Sequence, residues 1–136
     1  MVVAKIKALY YAAAATTALA GILHLIIASN VLGFAPPIGI FFIIAGIAQL
    51  FWVVPIIRRW GRIWYYVGIG GTIVLIILFV ITRLPNNPIF GRAAPIDPMG
   101  IAIEGLEAAF IGLSIVIIVY EKKRRQLSGK AASGNV

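Results

Sequence analysis

Two carboxylates, an imidazole, a guanidinium and a carboxamide interrupt apolar surroundings in this chain: Glu104, Glu107, His24, Arg83 and Gln49. Glu104 and Glu107 are three residues apart, which makes them neighbours on a helix surface. Adjacent carboxylates resist double ionisation, so one of them can hold a proton near neutral pH. His24 is the only histidine. With the two glutamates it forms an imidazole–carboxylate set of the kind that suits zinc, manganese or iron. Four readings are open. Arg83 pairs with Glu104 or Glu107 while His24 fixes helix register. The group is a proton or cation site. His24, Glu104 and Glu107 bind a metal. Or the group lines a substrate pocket.

Other residue types narrow the chemistry. Cysteine is absent, so disulfides, thiolate metal sites, Fe–S clusters and palmitoylation are excluded. One histidine cannot build a multi-histidine copper or iron centre. Ser29 lies five residues from His24, off its helix face, so no serine–histidine–acid arrangement is expected. Gly68-Ile69-Gly70-Gly71 sits in an apolar run, where it reads as helix packing and not as a phosphate loop. The Asn86-Asn87-Pro88 stretch reads as a turn. The chain is therefore not expected to be an enzyme by itself, nor to bind a cofactor alone.

The elements that must position these groups are four apolar runs, at about 8–30, 37–57, 63–82 and 98–120. Each is long enough to cross a hydrocarbon core as a helix, ~20 residues at 1.5 Å rise. The backbone inside lipid must satisfy its own hydrogen bonds, and no period-two alternation marks a barrel strand. Mean hydropathy of +1.03 agrees. The expected fold is all-α: a single membrane domain, a four-transmembrane-helix bundle with a tail over 121–136. The first run continues past Ala18-Leu19-Ala20, too far for a signal-peptide core, and reads as a retained helix.

Net charge is +8, and its distribution is lopsided. Lys5, Lys7, Arg58, Arg59, Arg62, Lys122, Lys123, Arg124, Arg125 and Lys130 fall on one side of alternating helices, with only Arg83 and Arg92 opposite. The positive-inside rule then predicts a multi-pass plasma-membrane protein with both termini cytoplasmic. Arg58, Arg59, Arg62, Lys122, Lys123, Arg124 and Arg125 read as lipid-headgroup anchors, not as a nucleic-acid surface. Trp60, Trp64, Tyr65 and Tyr66 read as an aromatic interface belt.

Within the runs, Ala13, Thr17, Gly21, His24 and Ala28 form a small or polar stripe that should face the interior. Gly39, Gly46, Gln49 and Trp52 share a face of the second run. Gly100, Glu104, Glu107 and Ser114 share one of the fourth. Asp97-Pro98 reads as an N-cap followed by an N1 proline. By helical rise, Glu104, Glu107 and His24 lie ~9, ~13 and ~9 Å from the outer ends of their helices. Ionisable groups at such depth face the bundle interior and find partners.

Gly21-x-x-His24-Leu25, Gly46-x-x-Gln49-Leu50, Thr82-Arg83-Leu84-Pro85, and Asp97-Pro98-x-Gly100 leading to Glu107 resemble a loose group of small four-helix prokaryotic membrane proteins of unsettled function. The resemblance covers about 21–120. It implies the four-helix fold and draws attention to His24, Gln49, Arg83 and Glu107. In size, Ile/Ala/Gly-rich helices and basic tail, the chain is also similar to accessory membrane subunits of archaeal ammonia monooxygenase. That similarity implies a non-catalytic subunit packed beside copper-bearing partners of a membrane oxidoreductase. An accessory subunit of a larger membrane complex is thus the leading expectation, with other membrane subunits, lipid or further copies as partners. A proton or cation channel or transporter, and a membrane metal-binding protein, are the alternatives.

Overall fold

A computed structural model describes residues 2–134. Four helices follow one another: α1 (Val2–Val31), α2 (Pro36–Ile57), α3 (Arg62–Arg83) and α4 (Pro98–Ser133). All four are long and apolar enough to span a membrane. The chain is an all-α membrane protein, as its hydropathy predicts.

Most boundaries agree with the apolar runs to within a residue or so, but two do not. α1 begins at Val2 and α4 continues to Ser133, so most of the expected tail is helical. Hydropathy marks where a helix is greasy, not where it ends. Residues 121–133 are rich in Lys, Arg, Gln and Ala, good helix formers that carry α4 on past its apolar run.

Asp97 caps α4 as expected, accepting a hydrogen bond from the Gly100 amide at 2.8 Å. The connector over 84–97 is organised by Asn87. Its side-chain amide donates to the carbonyls of Thr82, Leu84 and Arg92, and its Oδ1 accepts from the amides of Ile89 and Phe90. The turn reading holds there, and Asn87 is the buried hub that ties the loop to the end of α3.

α1 lies at the centre, packed along α2 on one side and α4 on the other; α3 leans on α4 and barely meets α2. The interior joins an apolar cluster of Tyr10, Ile56, Tyr65, Phe110 and Ile117 to a set of small and polar residues, with Ala13, Ala20, Ala28, Thr17, His24, Gln49, Glu107 and Ser114 all buried. Large aliphatics such as Ile44, Ile47, Val74, Ile77, Val116 and Val119 face outward. This is the arrangement lipid favours, because acyl chains welcome isoleucine while close backbone approach requires small residues.

Candidate functional site

The backbones of α1 and α2 cross at Gly21 and Gly46. A Cβ built on either glycine would stand 2.8 Å from the other's carbonyl oxygen, so no larger residue fits without pushing the helices apart. One turn further along each helix come His24 and Gln49, and this crossing brings them within hydrogen-bond reach. His24 Nδ1 lies 2.8 Å from Gln49 Oε1 and 3.0 Å from the Ala20 carbonyl. Gln49 Nε2 donates to Glu107 Oε1 of α4 at 2.7 Å. Thr17 Oγ1 donates to the Gln49 carbonyl at 3.1 Å, a second tie between α1 and α2. Three helices are thus joined through one carboxamide.

The hydrogen-bond directions determine where protons sit. Glu107 Oε1 accepts from the Gln49 amide, which turns Gln49 Oε1 toward His24. Two carbonyl oxygens therefore face His24 Nδ1, so Nδ1 carries its hydrogen. His24 Nε2 then points at Glu107 Oε1 across 4.0 Å, beyond hydrogen-bond range. An imidazolium with a carboxylate and an imidazole with a carboxylic acid contain the same number of protons. Either arrangement is neutral overall, which makes the pair tolerable at this depth in lipid. Glu107 is 1% exposed, and its Oε2 has no hydrogen-bond partner among the described residues.

The other two charged candidates stand apart from this pair. Arg83 pairs with neither glutamate. Its Nη2 lies 3.8 Å from Asp97 Oδ2, its Nη1 donates to Thr82 Oγ1 at 2.8 Å, and its guanidinium stacks 3.6 Å from the Phe79 ring centroid. The reason is position: Arg83 ends α3 beside the first turn of α4, against Gly100, where Asp97 is the carboxylate within reach. Glu104 is half-buried, with no hydrogen bond or ion pair among the described residues. Buried positions on α4 step through Gly100, Ile103, Glu107, Phe110 and Ser114, an alternation of three and four residues that passes over 104. Among the described residues no three His, Cys, Asp or Glu side chains gather as a metal-holding group. His24, Glu104 and Glu107 are no exception, because Glu104 lies off the seam the other two share.

At the basic end of the bundle the anchors divide. Trp60 and Trp64 stack on each other and on Phe51, and the Trp52 indole donates to the Trp64 carbonyl at 2.9 Å. Tyr65 is buried and not a belt residue. Tyr10 donates to Glu121, and the Arg59 guanidinium lies 4.3 Å over the Tyr10 ring. Sequence reasoning missed Tyr10 and Glu121. The signal was present, because Tyr10, Thr17 and His24 recur every seven residues on α1, and Glu107, Ser114 and Glu121 do so on α4.

Between α2 and α3 lies a cavity of about 360 Å³, walled by Phe41, Ile44, Ala48, Val67, Leu75 and Phe110 among others, with Thr17, Gln49 and Thr72 as its polar members. No protein-family model, curated protein or solved structure matches the chain.

Proposed function

We propose that this chain is a small membrane protein that holds an exchangeable proton between His24 and Glu107, with Gln49 orienting both. The observation that carries this reading is the buried carboxyl of Glu107. One of its oxygens is committed to Gln49 and set 4.0 Å from His24 Nε2, and the other has no hydrogen-bond partner among the described residues. A buried carboxyl oxygen that no protein group engages is open to a proton or to water. The test uses the single histidine. In full-length protein with 15N-labelled imidazole, reconstituted in phosphatidylcholine vesicles, the NMR signal reports His24 alone. The expected outcome is hydrogen on Nδ1, a protonation state of Nε2 that changes with pH, and a marked displacement of that change in Glu107→Gln. A signal that does not respond to pH in either protein overturns the reading.

A second reading, the accessory subunit of a larger membrane complex, is favoured by α3. It is the least buried of the four spans, attached along one side, and presents Ile73, Val74, Ile77 and Val80 outward. Such a helix suits contact with other membrane subunits, whether of a monooxygenase assembly or another oxidoreductase. Gentle extraction that yields only the free monomer would count against it. In both readings the basic end is taken as cytoplasmic, because ten of the twelve Lys and Arg residues belong to it.

A further inference from the structure

We infer that the α2/α3 cavity seats one acyl chain of an anionic phospholipid, and that Arg58 and Arg62 hold its phosphate at the basic end. The inference stands apart from the proton reading above. The cavity measures about 360 Å³ and lies between two membrane spans. Its polar members are all committed elsewhere. Thr17 donates to the Gln49 carbonyl, Thr72 donates to the Gly68 carbonyl at 2.8 Å, and the Gln49 carboxamide is turned to His24 and Glu107. A buried water needs about two to four polar partners, which these walls do not offer. The chemistry that fits is hydrocarbon. On the α3 wall, a Cβ built on Gly71 meets nothing within 4 Å. On the α2 wall, Ala48 is likewise exposed. Ile44 and Val67, which also line the cavity, are more than half exposed. The cavity therefore opens onto the surface that lipid covers.

Charge and length name the occupant. Arg58 follows α2 and Arg62 opens α3, so both stand where the two walls are joined. Neither has a carboxylate partner among the described residues. Arg59 is turned away, over the Tyr10 ring of α1. Trp60 and Trp64 stack beside them, as rings at headgroup level do. Arginines next to a membrane span attract anionic headgroups. At helical rise, Trp52 lies ~9 Å, Ala48 ~15 Å and Ala45 ~20 Å along α2 from Arg58. One leaflet is ~20 Å deep from surface to midplane. A lipid with its phosphate at Arg58 thus carries its chain past Trp52 and Ala48 to Ala45, and all three line the cavity. A neutral lipid would meet the same apolar walls but leave both arginines uncompensated.

The experiment is native mass spectrometry of full-length protein released from vesicles of phosphatidylglycerol and phosphatidylcholine in equal amounts. One phosphatidylglycerol should be retained per chain, with a preference over phosphatidylcholine of roughly fivefold or more. Gly71→Leu fills the cavity from α3 and should cut retention several-fold, and Ala48→Phe should do the same from α2. Gly70→Leu is the control. A Cβ there also meets nothing within 4 Å, but residue 70 does not line the cavity, so retention should hold. Arg58→Gln combined with Arg62→Gln should abolish the preference for phosphatidylglycerol. Circular dichroism checks that each variant stays helical. Undiminished retention in both cavity-filling variants overturns the inference. So does equal retention of dihexanoyl phosphatidylglycerol, whose chains are too short to reach Ala48, because a headgroup site would then suffice. A preference that survives the loss of both arginines, or a second copy of the chain retained in place of lipid, overturns it as well. The pH response of His24 is read separately, so failure here leaves the proton reading where it stands.

Discussion

The α1/α4 seam and the α2/α3 side draw on much the same residues, yet one closes and the other stays open. Along the seam, Ala13 and Ala14 pack in one cluster with Phe110 and Ile117, and hydrogen-bonding residues recur every seventh position. On the other side, Trp52 and Trp64 meet at 5.5 Å between ring centroids near the basic end. They prop α2 away from α3, while Gly71 offers nothing to fill the space. In water the hydrophobic effect would collapse such a gap. In lipid it exerts no such pull, so helices close only where small residues permit contact and polar groups reward it. Closure in this protein therefore follows the hydrogen bonds.

The sharpest way to break the contrast is to place the same bulk on both sides. Gly21→Leu drives a side chain into the Gly46 carbonyl, whereas Gly71→Leu meets nothing within 4 Å. The first should cost about 3 kcal/mol or more, the upper range for overpacking, and should separate His24 from Gln49. The second should change stability by less than ~0.5 kcal/mol, as substitutions away from packed features do. Denaturation in mixed micelles compares them directly. Equal losses would mean that the α1/α2 crossing is no tighter than the open side.

Next in size is Glu107→Ala, which leaves the Gln49 amide without its acceptor and opens a hole beside His24. A loss of about 2 kcal/mol is expected, from an unsatisfied buried donor and a small cavity. Glu107→Gln keeps the volume and should lose less than half as much. A double-mutant cycle between Gln49 and Glu107 should give a coupling of ~0.6–1.7 kcal/mol, the range for interhelical hydrogen bonds in membranes. A cycle between Arg83 and Glu107 should give none. Coupling in the latter would restore the ion pair that the α3 topology denies.

How much of this was legible in the sequence differs by residue. The four spans, the Asp97 cap and the inward stripe from Ala13 to Ala28 followed from hydropathy and spacing, because those properties are local. His24, Gln49 and Glu107 were recognisable as polar residues in apolar runs, and they do meet. Glu104 was grouped with Glu107 because three residues along a helix is a short step. Whether that step stays on a seam depends on which helix packs opposite, and α1 selects 103 and 107. The reading that pairs Arg83 with a glutamate fails for a similar reason: Asp97 is already explained as a cap, and nothing local says that the end of α3 meets α4 at Gly100, beside Asp97. Tyr10 and Glu121 were passed over because they flank the apolar runs, though their seven-residue spacing from Thr17 and Ser114 was there to be read.

The smallest expected effect tests whether the Arg83–Asp97 contact belongs to the stability of the seam at all. Asp97 is about half exposed at its side chain and Arg83 about a fifth, so their attraction is screened and contributes roughly 0–1 kcal/mol. The cap is the larger of the two tasks that Asp97 performs, at about 1 kcal/mol. Asp97→Asn retains the cap and removes the charge, and should cost only a few tenths of a kcal/mol. Asp97→Ala removes both and should cost about 1 kcal/mol more. Were Asp97→Asn as damaging as Asp97→Ala, the charge pair and not the cap would hold the start of α4, and Arg83 would bear on the depth at which Glu107 sits.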